Sequence, residues 1–191
     1  MSTTRPYHHG DLRRVVLDAA VAALLETGPA GLSLRDLARR AGVSHAAPAY
    51  HFGDKAGLLT AVAAEGFDLL AEALTTAQRD TREFLEVGVA YVRFAIDHRA
   101  HFEVMYRPDL YRPDDAAVQA ARQRAADALY GGAGSLPAAQ RGPDVRLAGV
   151  AAWSLVHGFA TLWLNDALPD GLGDDPEAAA RAVAAVLFRA S

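Results

Sequence analysis

Leu32-Ser-Leu-Arg-Asp-Leu-Ala-Arg-Arg-Ala-Gly-Val-Ser-His-Ala-Ala-Pro-Ala-Tyr-His-Phe52 decides how the rest of this chain is read. Ser33 is placed to cap a short helix over residues 34–41, and Ser44 to cap a second one reaching about His51. Between them Ala38 is small where two helices must cross closely. Gly42 supplies the left-handed conformation that a three-residue turn needs, and Val43 plugs the space between the helices. Leu34, Leu37 and Ala41 form the buried stripe. The residues that begin the second helix are then free to enter a DNA major groove, with Arg35, Arg39, Arg40 and Lys55 placed around them for phosphates. An ordinary helical hairpin with a glycine turn would share the apolar stripe, but it would not need this ring of charge.

Outward from that segment, the pattern is helix after helix. Asp11 is positioned to cap a first helix from about Leu12 to Thr27, stopped by Gly28-Pro29, and its apolar residues recur at three-four spacing. A long helix is predicted from Lys55 to about Ala77. Others follow over residues 82–98, 100–106, 114–129, 144–167 and 176–189, the last opened by Asp175 and a first-turn Pro176. Strand signals are nearly absent, so the fold class is all-α. A boundary is expected near Gly53-Asp54, dividing a helix-turn-helix head (1–55) from a larger helical body (56–191). The stretch from Gly131 to Gly142, opening on Gly131-Gly-Ala-Gly-Ser, reads as a loop.

The 191 residues are 51% hydrophobic and 22% charged, the profile of a globular chain, and they include no cysteine. That excludes disulfide scaffolds, thiolate metal sites and cysteine catalysis, and fits a reducing cytoplasm. The net charge of −4 looks unsuited to nucleic acid until it is divided along the chain. Residues 1–55 carry seven basic and five acidic groups, net +2, whereas the remainder carries 12 basic and 18 acidic, net −6. A basic head on an acidic body is what local DNA recognition requires. The N-terminal residues hold no apolar run of the signal-peptide kind, so a cytoplasmic location is expected. Residues 147–164 lack any Asp, Glu, Lys or Arg. They are read as a helix buried on most sides rather than a membrane span, because His157, Ser154 and Thr161 interrupt them and no basic flank follows.

Ala41-Gly-Val-Ser followed by Tyr50-His-Phe-Gly-Asp-Lys55 resembles the DNA-binding domain of the TetR family of bacterial transcription regulators, and the likeness covers residues 9–65. Ala152-Trp-Ser-Leu-Val-His-Gly158 and Tyr7-His-His-Gly-Asp-Leu-Arg13 are similar to signatures of one subgroup of that family. The resemblance implies a homodimeric repressor of double-stranded DNA released by a small-molecule effector. The segment departs from the family pattern at Ala46, where Gly is usual, and at Pro48-Ala49, where a Leu-Tyr pair is usual. Tyr50 therefore stands one residue beyond the family's phosphate-contacting tyrosine. Proline there is also expected to tighten the start of the recognition helix toward a three-ten turn.

The candidate DNA contacts are Ser44, His45, Ala46, Tyr50 and His51 in the groove, with Ser33, Arg35 and Lys55 on phosphates. The candidate effector lining is Phe67, Tyr91, Phe94, Phe102, Met105, Tyr106 and Trp153, with His98 and His157 as polar groups. Such a lining suits a largely apolar molecule rather than a phosphate or a sugar. The last two helices carry more apolar surface than one core can absorb, so they are the expected homodimer interface. Histidines occur without metal-ligand spacing, and no GxGxxG, GxSxG or Walker loop is present, so no metal, cofactor or catalytic residue is assigned. The rival readings are a helical adaptor or an enzyme without DNA binding.

Overall fold

A computed structural model describes residues 9–135 and 143–188. Among them lie nine α-helices and no strand. These are α1 (His9–Gly31), α2 (Leu34–Arg40), α3 (Ala47–Phe52), α4 (Lys55–Thr81), α5 (Phe84–Asp97), α6 (Arg99–Met105), α7 (Ala116–Gly131), α8 (Val145–Leu164) and α9 (Pro176–Phe188). A three-ten helix, Gly132–Ser135, follows α7.

Local sequence sets most of these boundaries. In α1 the buried stripe is Val16, Leu17, Ala20, Ala23 and Leu24. Its regular course breaks at Gly28, whose φ of +64° and ψ of 177° are open to glycine, and Pro29 starts a final short turn. Asp11 is not its cap, since the helix is already running at His9. Asp144 and Asp175 do cap α8 and α9, each accepting two backbone N–H groups of the first turn. α4 has 27 residues, so at the usual rise it spans about 40 Å. Its start is fixed by Asp54, which accepts the Gly57 N–H at 2.8 Å.

The contacts divide the chain into two compact units. The first takes in the head through Gly66 together with Ala100–Gln119, and the second holds Phe67–Arg99 and the chain from Ala120 onward. In the first, Leu37, Leu58, Leu59, Val62, Val104 and Met105 are buried. In the second, α5 packs against α8 and α9, and Val87, Tyr91, Val92 and Phe94 of α5 are enclosed with Phe159 and Ala160 of α8.

Two expectations are corrected here. Gly131 and Gly132–Ser135 are helical rather than looped. Gly132 fits beside Phe84 so closely that a Cβ would lie 2.8 Å from the ring. Residues 136–142 of that stretch lie outside the described residues. α8 is not buried on most sides, because its neighbours cover one face and leave Leu147 65% and Leu162 44% exposed. It is long and apolar enough to cross a membrane by length and composition, with 22% of its apolar window buried.

Candidate DNA interface and effector site

The turn between α2 and α3 is built as its sequence demands. The Val43 N–H donates to Ala38 O at 3.0 Å, Gly42 holds φ +65°, and Leu37 and Ala38 are sealed beneath. The caps differ from expectation. Ser33 occupies the N-cap position of α2 in extended geometry, but its side chain makes no capping bond. The N-cap of α3 is Ala46 rather than Ser44. Pro48 explains the shift, because proline fits only in a helix's first turn, where its missing N–H costs nothing. Helix α3 is thereby shortened to six residues. Ahead of it, the Ala47 N–H donates to Ser44 O at 3.0 Å, a three-residue reach characteristic of the three-ten turn.

Ser44, His45, Ala46 and Tyr50 are exposed along this edge, Tyr50 by 79%, while His51 is half-buried with its ring 5.1 Å from that of Tyr50. The surrounding cations differ in availability. Arg39 pairs with Asp36 at 3.3 Å and Arg40 with Glu26 at 2.6 Å. Lys55 donates to Ala30 O at 3.2 Å. Arg35 is exposed and has no ion pair among the described residues. Exposed pairs of this kind are worth at most about 1 kcal/mol, so they yield readily to a phosphate. Sequence reasoning missed Arg13, whose guanidinium lies 5.2 Å from the centre of the Phe52 ring and joins α1 to the end of α3. A cation near an aromatic in the folded chain left no spacing signal in the sequence.

In the second unit three predicted residues meet. Trp153 Nε1 donates to the Tyr91 hydroxyl at 3.2 Å, and Tyr91 Oη lies 2.9 Å from His157 Nδ1. The tyrosine oxygen can accept from tryptophan and still either donate to or accept from Nδ1, so the tautomer of His157 sets the direction of that bond. Burial pushes the His157 pKa below the usual histidine value, favouring the neutral ring. Phe67 and Phe94 are buried on α4 and α5, and the Phe94 and His98 ring centroids lie 5.3 Å apart with the rings tilted by 32°. His98 is half-buried; the fully buried histidine of the pair is His101, which the sequence reading left out of the site. Phe102, Met105 and Tyr106 fall in the first unit, where the Met105 carbonyl accepts from Tyr111 Oη at 3.0 Å. A groove of about 400 Å³ runs between α4 and α5, with Val89, Ala90, Phe94 and His98 among its walls. The apolar cleft beside Trp153, lined also by Phe84, Val87, Leu129 and Val156, has room for only about 20 Å³.

A short helix pair joined by a glycine turn, preceded by a packed first helix, is the arrangement of a helix-turn-helix DNA reader, and an all-helical unit carrying a half-buried polar cluster follows it in the chain. Sequence comparison agrees. Residues 16–62 match the family described as bacterial regulatory proteins of the tetR family, and residues 84–187 match the tetracyclin repressor-like C-terminal domain. The chain belongs to the TetR family and is a DNA-binding transcriptional regulator with a ligand-binding C-terminal domain. A Rhodococcus protein of unknown function is 35% identical, with 97% of each chain covered and a TM-score of 0.81. The TetR family transcriptional regulator PfmR from Thermus thermophilus is 24% identical over 91% of this chain and 96% of that one, at a TM-score of 0.70. The multidrug binding protein EbrR, solved with imidazole, shares the fold at 20% identity, covering 100% of this chain and 99% of that one, with a TM-score of 0.62. None of the curated protein sequences compared matches the chain. TetR regulators bind DNA and small-molecule effectors and form dimers, and the long apolar helix α8 is only weak evidence of a membrane span.

Proposed function

We propose that this regulator is a cytoplasmic repressor that holds an inverted-repeat operator as a homodimer and lets it go when a largely apolar small molecule enters the second unit. The relay Trp153–Tyr91–His157 carries the reading, because linked polar groups at the edge of an otherwise apolar core are how a protein orients one small ligand. The lining we assign is Phe67, Tyr91, Phe94, His98, Trp153 and His157. The narrow cleft beside Trp153 must open to admit a ligand of ordinary size, and that opening is the differential binding that shifts DNA affinity. A structural relative described as a multidrug binding protein is in keeping with an apolar effector.

On DNA, Ser44, His45, Ala46, Tyr50 and His51 face the major groove, and Ser33, Arg35 and Lys55 take phosphates. The dimer is assigned to α8 and α9. On α8 the exposed residues Leu147, Ala151, Ser154, Thr161 and Leu162 recur at helical spacing around Gly158. On α9 the exposed stripe is Ala178, Ala182 and Val186. Small residues flanked by large apolar ones suit the close approach of a second copy.

The test is selection from an unbiased duplex library, repeated with a panel of apolar compounds while Trp153 emission is followed. An inverted repeat should be retained, and compounds that quench or shift Trp153 should release it. His157→Ala should keep DNA binding and lose the release. Retention of no repeat, or release by compounds that never perturb Trp153, refutes the reading.

A further inference from the structure

Helices α4 and α6 touch at Gly66, where a Cβ would lie 2.6 Å from Met105 Sδ and 2.9 Å from His101 Cβ. The residue before that contact is Glu65. Its carboxylate accepts from His101 Nε2 of α6 at 3.1 Å and pairs with the Arg14 guanidinium of α1, which also pairs with Asp18. His101 is buried, with 6% of its side chain exposed, and half of the Arg14 side chain is open to solvent. The hydrogen bond from His101, reinforced by Arg14, holds the Glu65 pKa at about 2, so the carboxylate is charged. One acid on α4 thus grips the first helix of the head on one side and α6 on the other.

A second tie lies closer to the recognition helix. Arg112, in the loop after α6, reaches the Asp54 carboxylate at 2.8 Å, and its backbone N–H donates to Thr60 Oγ1 at 3.0 Å. Residues 100–119 are for this reason part of the head's own unit. Apolar burial such as that of Leu58, Leu59 and Val62 holds helices together but is indifferent to small rotations, whereas a charge-assisted hydrogen bond has a direction. Because α3 rests on α1 through Phe52 and Arg13, fixing α1 fixes the recognition helix.

We propose that Glu65 is a positioning residue for DNA reading: through Arg14 and His101 it sets the angle of the helix-turn-helix on α4, and so the half-site spacing that the dimer accepts, without contacting DNA itself. This rests on the two-fold operator reading above. A shift of one base pair turns a half-site by about 34° around the duplex, so spacing is a sensitive measure of head angle.

The experiment compares wild type with Glu65→Gln and Arg14→Gln on the selected operator and on versions with one base pair more or less between half-sites. Wild type should discriminate against the altered spacings by about tenfold, and both variants should bring that to within about threefold while preferring the same half-site sequence. Should Glu65→Gln fail to fold, Arg14→Gln, at a half-exposed position, decides the matter alone. Folded variants that discriminate as well as wild type overturn the inference. So does an equal loss of affinity at every spacing, which is what a merely structural role would give, or an effect confined to Glu65→Gln. A wild type that retains no inverted repeat refutes the underlying reading and this inference with it, a result distinguishable from variants as selective as a selective wild type.

Discussion

Gly158 sits in the middle of the exposed stripe of α8, and a Cβ there would meet nothing within 4 Å of its own chain. Gly158→Leu therefore seats its Cβ without a clash in the single chain, and removing a mid-helix glycine should stabilise α8 by up to about 1 kcal/mol. Its effect falls on a second copy. Helices meeting through Gly and Ala approach to about 8 Å, and leucine at the crossing forces them toward about 10 Å. Leu147 and Leu162, 65% and 44% exposed in the single chain, then lose their cover. Those exposures amount to about one whole leucine side chain per protomer, worth about 1.5–3 kcal/mol, or roughly 3–6 kcal/mol for the pair. The dimer dissociation constant should rise by roughly two to four orders of magnitude. Sedimentation velocity from nanomolar to micromolar protein reads that shift, and thermal melting confirms that the chain stays folded. A folded variant whose dissociation constant stays within threefold of wild type would place the interface elsewhere.

On the opposite face of α8, Gly149→Ala should instead weaken the fold, because the new Cβ would lie 2.6 Å from the Tyr130 ring. Overpacking of this kind costs about 1–3 kcal/mol, read as a lower Tm without a change of half-site preference. Arg35→Ala should weaken binding to all duplexes alike and flatten the plot of log affinity against log salt by about one unit; an unchanged slope would remove Arg35 from the phosphate contacts. Tyr91→Phe removes two hydrogen bonds from the relay, which should cost about 1–3 kcal/mol and shift Trp153 emission. The His157 pKa lies below its ordinary 6.5 in the folded chain because of burial. Below 6.5 the unfolded chain gains a proton before the folded one, so stability from this site is present above that pH and declines as pH falls. Tm followed from pH 7.5 downward should show that decline in wild type and a shallower one in His157→Gln. Glu65 has its step lower, with stability present above 4.5 and lost as pH falls toward about 2, and Glu65→Gln should lack it.

What the amino-acid order determined by itself is local. Ala38, Gly42 and Val43 specify the helix-turn-helix because the residues that form it are neighbours in the chain, and no distant contact is needed to decide among their conformations. The cap Asp175 and the first-turn Pro176 were legible for the same reason. Even Pro48 announced a tightened start to α3, although the local pattern placed the cap at Ser44, and only the built turn shows Ala46 there. Ionic and polar partnerships were not legible. Arg14 meets Glu65 across 51 positions and Tyr91 meets His157 across 66, and nothing in spacing or composition selects those partners before the helices pack. The burial of His101 depends on which side of α6 lies against Gly66, while His98 ends α5 and stays half-buried. The apolar excess of α8 was visible in the sequence, but whether it faced the core or the solvent was decided by α5 and α9, which cover one side and leave the other bare. Hydrophobic periodicity fixes that a face will be covered, while the geometry of distant helices fixes by what.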